Sequence, residues 1–144
     1  MSLYERDFYQ WTQEQAALLK AGALSRIDVE NLIEEIESMG KSQKKELISR
    51  LTVLLMHMLK WDHQSTRRGK SWLKTIATQR TEIEFLLYDN PSLTHEIQNI
   101  MLRAYRAAAK QASTETGLPL NTFPESCPYS IEQIMGESIP PHLQ

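Results

Sequence analysis

The sequence is poor in cysteine and glycine, and it contains no long apolar run. Its single cysteine, Cys127, cannot form an internal disulfide, and the chain offers neither a Cys-x-x-Cys motif nor a zinc-binding Cys/His spacing. No stretch approaches about 18 consecutive apolar residues, and the opening MSLYERDFYQW is charged and aromatic where a secretory signal is basic and then apolar. These absences argue against a disulfide scaffold, a zinc domain and a membrane protein, and they predict a cytoplasmic location.

Motifs for common enzyme chemistry are also missing. The five glycines are scattered and form neither GxGxxG nor GxxxxGK[ST], the loops that hold nucleotide phosphates. There is no GxSxG nucleophile turn, and Cys127 stands between Ser126 and Pro128, away in sequence from any histidine. We therefore predict no cofactor and assign no catalytic residue, and the sequence favours a role other than catalysis.

Length and the spacing of apolar residues predict one helical domain. A chain of 144 residues can bury roughly 68–70% of its unfolded surface, so it needs neither a disulfide nor a structural metal to be stable. Apolar residues recur at the helical period between glycine and proline breaks, with very little strand-like alternation. We expect an all-α bundle in a single domain, residues 1–144. Its five long helices are predicted at about 8–21, 29–39, 42–61, 71–88 and 92–116.

Several residues are predicted to set the ends of these helices. Asp7 and Asp28 have the side chains and positions of N-caps. Gly40 is predicted to end the second helix, while Ser71 and Ser92 are predicted to begin the fourth and the fifth.

The end of the chain is predicted to be irregular, because five of the six prolines follow residue 117 and proline does not continue a helix. We expect residues 117–144 to form a strap over the bundle that contains one short helix. Ser130 and Gln133 match the capping box that begins such a helix.

Charge is unevenly distributed along the chain. Residues 1–40 carry eight acidic and three basic residues, residues 41–80 carry two acidic and ten basic residues, and residues 81–144 again carry eight acidic and three basic residues. The basic middle can face an anionic partner, or the acidic flanks can neutralise it within the fold. We favour the intramolecular interpretation.

Arg80 is polar at a position where helical spacing predicts core. It projects only about 40° from the centre of the apolar stripe of the fourth helix, so it should be partly buried. A buried guanidinium needs a partner, which Glu84 or a carboxylate of the second helix can supply. The two interpretations are a structural ion pair, which we favour, and an anion site.

His57 lies beside the apolar stripe of the third helix, on one ridge with Arg50 and Trp61. An imidazole there can bind a metal or act as a general base. It can also be a packed, hydrogen-bonded core residue, which is the interpretation we favour. His63 follows six positions later, so the two histidines do not form an i,i+4 metal pair.

The second predicted helix is rich in glutamate. Bundles that bind two metal ions use such residues together with a Glu-x-x-His motif, which is absent here, so we predict no metal site. Glu30, Glu34 and Glu37 lie opposite the apolar face of that helix, where we expect solvent or a basic partner segment, and Glu35 lies near its border. Glu35 and Glu37 are therefore the expected partners of Arg80 or Arg50. The candidate polar cluster between the second, third and fourth helices consists of Glu35, Glu37, His57, Trp61 and Arg80.

A basic segment with interleaved tryptophans follows the third helix. This composition is typical of a phosphate-contacting surface with stacking aromatics, although Trp61 and Trp72 can equally anchor a core. The candidate anion or nucleic-acid contacts are Lys60, Arg67, Arg68, Lys70 and Lys74.

Six segments, taken in order and spacing, resemble a known family. They are YERDFYQWTQEQAALLKAG, NLIEEIESMGKS, SRLTVLLMHMLKW, SWLKTIATQR, NPSL and FPESCPYSIEQI. Over about residues 4–135 the chain resembles the bacterial family called domain of unknown function 29, which is abundant in cyanobacteria. The resemblance implies a small all-helical single domain, and it implies no reaction, substrate or cofactor. The residues that match the family pattern are Glu34, Glu35, Glu37, His57, Lys60, Trp61, Trp72, Gln79 and Arg80.

The sequence thus favours a protein-binding or regulatory module whose partner is another protein or a second copy of the chain. A charge-segregated helical surface can recognise a complementary one, and the constellations of common catalysts are missing. The alternative is a nucleic-acid-acting protein or metal-assisted enzyme that uses His57 and the basic segment 60–80. We expect no membrane partner.

Overall fold

Helices and short helical turns connect almost without interruption through the part of the chain that the structure describes. A computed structural model describes residues 1–136, and no strand occurs within that range. The all-α prediction is therefore confirmed. The end of the predicted strap, residues 137–144, lies outside the described residues.

The chain forms six α-helices within residues 1–136, of which four are long. They are α1 (Leu3–Arg6), α2 (Phe8–Lys20), α3 (Val29–His63), α4 (Lys70–Asp89), α5 (Ile97–Thr116) and α6 (Ile131–Met135). Short 3-10 turns lie at Leu24–Arg26, Ser65–Arg67, Pro91–Glu96 and Leu120–Thr122. None of the helices in the described range is both long and apolar enough to cross a membrane.

The predicted break at Gly40 is wrong, because α3 runs without interruption for 35 residues. A glycine inside a helix costs only about 1 kcal/mol relative to alanine. Good helix formers stand on both sides of Gly40, and they carry the helix through it. The second and third predicted helices are therefore one helix, the longest of the fold.

Other helix ends agree in part with the prediction. Asp7 and Asp28 cap α2 and α3 by accepting hydrogen bonds from the backbone N–H of Gln10 (3.1 Å) and Asn31 (3.3 Å). The predicted starts at Ser71 and Ser92 are wrong. Helix α4 begins one residue earlier, after an extended glycine. The segment containing Ser92 is a 3-10 turn, whose tight geometry buries Leu93 in the core before α5 begins.

The chain divides into two compact units, Met1–Ser42 and the part from Gln43 onward. In the first unit, the rings of Tyr4, Phe8 and Trp11 pack together with centroids 4.7 to 5.7 Å apart. Only Trp11 and Gln15 are buried there. The prediction of a single domain over residues 1–144 stays a prediction.

The second unit holds the hydrophobic core, and the second half of α3 lies at its centre. Helices α4, α5 and α6 and the strap all contribute to this core. The residues of α3 that are almost completely buried are Leu47, Leu51, Leu54, Leu55, Met58 and Leu59. This confirms that the most apolar predicted segment is the central one.

The strap packs on the core through its aromatic residues. Phe123 and Tyr129 are each only 4% exposed, and the hydroxyl of Tyr105 on α5 donates to the carbonyl of Pro124. The capping box of α6 is confirmed, since Gln133 N donates to Ser130 Oγ (3.2 Å) and Ser130 N donates to Gln133 Oε1 (2.8 Å).

Candidate functional site

The first half of α3 exposes a stripe of large apolar side chains. Val29, Ile33, Ile36 and Met39 are exposed at 53%, 52%, 64% and 65%. At about 100° per residue they fall on one face of the helix about 120° wide, the width of a stripe that normally faces a core. We refer to these four residues as the apolar seam.

The first unit is held together on a different, polar side of α3. Trp11 Nε1 donates to Asp28 Oδ2 (3.0 Å), and the backbone N–H of Asp28 donates to Gln15 Oε1 (2.7 Å). The hydroxyl of Tyr4 donates to the carboxylate of Glu35. These hydrogen bonds join α1 and α2 to α3 at Asp28 and Glu35, and the four residues of the apolar seam are more than half exposed.

The same hydrogen bonds shift two pKa values. Donation from Asn31 (2.8 Å) and Trp11 holds the pKa of Asp28 below its usual range. The hydrogen bond to Glu35 raises the pKa of Tyr4 to about 12. At neutral pH Asp28 is therefore ionised and accepts its hydrogen bonds, and Tyr4 keeps the proton that it donates to Glu35.

Acidic side chains lie beside the seam. Glu30, Glu34 and Glu37 are exposed, and none of them makes an ion pair within the described part of the chain. On the helical wheel Glu30 and Glu37 follow Ile33 along the edge of the seam, whereas Glu34 lies on the opposite side of the helix. The seam is therefore an apolar stripe with an unneutralised acidic border.

The candidate polar cluster draws on both units of the chain. Glu35 and the exposed Glu37 belong to the first unit, whereas His57, Trp61 and Arg80 belong to the second. Glu35 accepts the Tyr4 hydroxyl within its own unit. The cluster as a whole stays a prediction.

His57 is partly exposed on α3. Its Nδ1 lies 2.9 Å from the carbonyl of Val53, which can only accept, so Nδ1 carries the proton and Nε2 is left as the acceptor. Burial lowers the pKa of His57 below its ordinary value. These features are those of the packed, neutral histidine that the sequence favoured.

Arg80 is buried as predicted, at 8% exposed, and two of its hydrogen bonds go to backbone atoms that the sequence did not indicate. Its Nε donates to the carbonyl of Ile134 (2.8 Å) and a terminal nitrogen donates to the carbonyl of Gln133 (3.0 Å). Burial lowers its pKa. Arg80 therefore holds the C-terminal turn of α6, whose last carbonyls have no partner within the helix.

The end of α3 brings the two tryptophans close to basic side chains. The guanidinium of Arg68 lies 5.3 Å from the ring centroid of Trp61, and its Nε donates to the Trp61 carbonyl (2.7 Å). Lys60 Nζ lies 4.9 Å from the ring centroid of Trp72 and 3.4 Å from the carboxylate of Glu115. These are cation–π contacts within one chain.

Only part of the predicted anion surface is available to a partner. Lys60 and Arg68 are held by the contacts just described, while Arg67, Lys70 and Lys74 are exposed. Basic residues of the middle segment also pair with acidic residues that follow position 80. These pairs are Lys44–Glu96, Arg50–Glu82 and Lys60–Glu115. They confirm the intramolecular interpretation of the charge pattern for these residues.

Buried Tyr129 and half-buried Asp62 form a pair that the sequence did not indicate. The hydroxyl of Tyr129 in the strap donates to Asp62 Oδ2 near the end of α3. Burial, followed by this hydrogen bond, raises the pKa of Tyr129 well above its usual range. No local pattern could have indicated the pair, because 67 positions separate its members.

Within residues 1–136, no group of three or more His, Cys, Asp or Glu side chains is arranged to hold a metal ion. Searches of the curated proteins and of the solved structures found no significant match to the chain. A family model matches residues 3–139 of the chain. The chain belongs to the family described as Domain of unknown function DUF29.

Proposed function

We propose that this chain is a protein-binding or regulatory module that uses its apolar seam to dock an amphipathic helix of a partner protein. The observation that carries this proposal is that four large apolar side chains of α3 are more than half exposed, although α1 and α2 form hydrogen bonds to the same part of the chain at Asp28 and Glu35. Exposed apolar stripes of this kind mark interaction sites more often than ordinary surface. A partner helix can cover such a stripe with its own apolar face.

The charge around the seam specifies the partner's chemistry. Glu30 and Glu37 border the seam without ion pairs in the described range. A partner helix with lysine or arginine beside its apolar face would complement them, and opposite charges at a rim raise association rates and select the partner. A second copy of the same seam would bring like charges together, so we favour a basic heterologous helix over a symmetric dimer.

Burial of the seam supplies enough free energy for a specific contact. Complete burial of a fully exposed valine, isoleucine or methionine side chain contributes about 1.5–3 kcal/mol, and covering the seam side chains, which are 52–65% exposed, contributes about half to two-thirds of that for each. Part of that gain is offset by the loss of translational and side-chain freedom. A contact of moderate affinity, suited to a regulatory module, is the expected result.

Site-specific photo-crosslinking in cell lysate tests this proposal. A photo-reactive phenylalanine analogue replaces Ile36 in the seam, and the control protein carries it at Phe85, which is 61% exposed on α4. We expect the Ile36 position to crosslink to a lysine- or arginine-rich helical segment of another protein, and the Phe85 position not to do so. Crosslinks from Ile36 to a second copy of the chain, to nucleic acid, or to the same species as the control would overturn the proposal.

We also propose a cytoplasmic location, which a single cysteine in a protein without disulfides supports. The alternative role in nucleic-acid chemistry receives less support, since Lys60 and Arg68 are engaged within the chain.

A further inference from the structure

Helix α5 and the strap form an open groove of about 1130 Å³. Two buried aromatic side chains, Tyr105 and Phe123, line it, and the bond from Tyr105 to the Pro124 carbonyl holds the strap against α5. Leu102 and Leu120 also line the groove, although they are 62% and 50% exposed. The space is as large as the sites that hold small organic ligands, and these residues give it an apolar surface.

Two basic side chains stand on the same groove. Arg106 and Lys110 are one helical turn apart on α5, in one row with Leu102, so all three lie on the same side of the helix. Both are exposed, and neither makes an ion pair among residues 1–136. The acidic residue that lines the groove, Glu125, belongs to the strap. The α5 side of the groove is therefore positively charged next to an apolar surface.

We propose that this groove binds a small anionic amphiphile, a molecule with a hydrocarbon body and a single carboxylate or phosphate head. The body would lie above Tyr105 and Phe123 and against Leu102 and Leu120, whose exposed apolar surface it would remove from water. The head would lie between Arg106 and Lys110, which can donate charge-assisted hydrogen bonds to it. The site shares no residue with the apolar seam and does not depend on the proposed protein partner.

The single cysteine provides a local reporter of occupancy. Cys127 lines the groove and is partly exposed, so a bound ligand should slow its alkylation by iodoacetamide. Burial raises the pKa of the Cys127 thiol, and the assay is therefore run at alkaline pH, where the reactive thiolate forms. Titration calorimetry with the same ligand gives a second readout that does not need the thiol.

The probes are decanoate, kept below its micelle concentration, and decanol as its uncharged match. We expect decanoate to protect Cys127 and to release heat on binding, and decanol to protect at least about tenfold less well because it lacks the charged head. The variant Arg106→Gln/Lys110→Gln should bind decanoate more weakly than the wild type by a similar factor. The control Lys45→Gln/Arg103→Gln removes two exposed charges outside the groove and should bind like the wild type.

Three results would overturn this inference. The first is that decanol and decanoate protect the Cys127 thiol equally. The second is that the groove variant and the control lose affinity for decanoate equally. The third is that calorimetry detects no decanoate binding by a wild-type protein that circular dichroism shows to be folded. A fourth arm uses vesicles of anionic lipid. If the protein binds only vesicles and not free decanoate, the basic groove is a lipid-surface contact and the small-ligand site is rejected.

Discussion

At the scale of single residues, Arg80 shows how a buried charge can be satisfied by a helix end. Its guanidinium donates to the carbonyls of Ile134 and Gln133 at the end of α6. The helical period on α4 was enough to predict its burial. Its partners could not be predicted, because they are backbone atoms more than 50 positions away, and backbone acceptors carry no sequence signal.

The substitution Arg80→Met tests this role. It keeps the length and the apolar stem of the side chain but removes the donors, leaving carbonyls of α6 unsatisfied, so we expect a loss of about 2–3 kcal/mol in the free energy of unfolding. Urea unfolding monitored by circular dichroism measures it. Arg103→Met removes an exposed guanidinium from α5 and should change stability by less than about 0.5 kcal/mol. Equal effects of the two variants would mean that the hydrogen bonds of Arg80 contribute nothing specific.

The buried tyrosines predict how stability depends on alkaline pH. Burial raises the pKa of Tyr105 from 10.0 to about 12, and the pKa of Tyr129 is raised further. A raised pKa means that the folded state keeps its proton above pH 10 while the unfolded state loses it. Stability is therefore complete below pH 10 and falls above it, by up to about 1.4 kcal/mol per pH unit for each tyrosine.

Tyr105→Phe separates this effect from the general titration of lysines. The variant should be less stable than the wild type at pH 8, since it loses the bond to Pro124. Its free energy of unfolding should then fall less steeply between pH 10 and 12. Denaturant unfolding at stepped pH values measures both, and parallel pH curves for the two proteins would refute the assignment.

At the scale of elements, two glycines have opposite roles. Gly40 lies inside α3, whereas Gly117 follows the end of α5 with a φ of +76°, a left-handed conformation that favours glycine. No atom lies within 4 Å of the position a Cβ would take at either residue. The sequence pattern predicts a helix end at each glycine that follows an apolar helical segment. The prediction was therefore right at Gly117 and wrong at Gly40.

Alanine at each position measures this difference. Gly40→Ala should stabilise the protein by up to about 1 kcal/mol, because it removes the entropic cost of glycine in a helix. Gly117→Ala should destabilise it by about 1–2 kcal/mol, because alanine is strained in the left-handed region. Thermal unfolding of the two variants gives both signs in one experiment, and destabilisation by Gly40→Ala would show that α3 bends or breaks there.

At the scale of the whole molecule, the sequence indicated most of the helical segments but not which apolar faces are covered. The stripe Leu47, Leu51, Leu54, Leu55 and Met58 and the stripe Val29, Ile33, Ile36 and Met39 have the same helical period. The first is buried in the core of its unit, and the second is exposed. The helical period shows that a face is apolar, but its burial depends on which other elements pack against it. In the first unit, α2 contacts the start of α3 through the hydrogen bonds around Asp28.

The central claim, that the apolar seam docks a basic amphipathic helix, is tested most directly by peptide titration. A fluorescently labelled helical peptide of leucine and lysine, with a leucine–glutamate peptide as its charge-reversed control, is titrated with protein and followed by anisotropy. We predict that the lysine peptide binds the wild type and the Phe85→Glu control equally, and binds Ile33→Glu/Ile36→Glu at least about tenfold more weakly. Equal affinity for the seam variant and the wild type, or equal affinity of both peptides, would contradict the account.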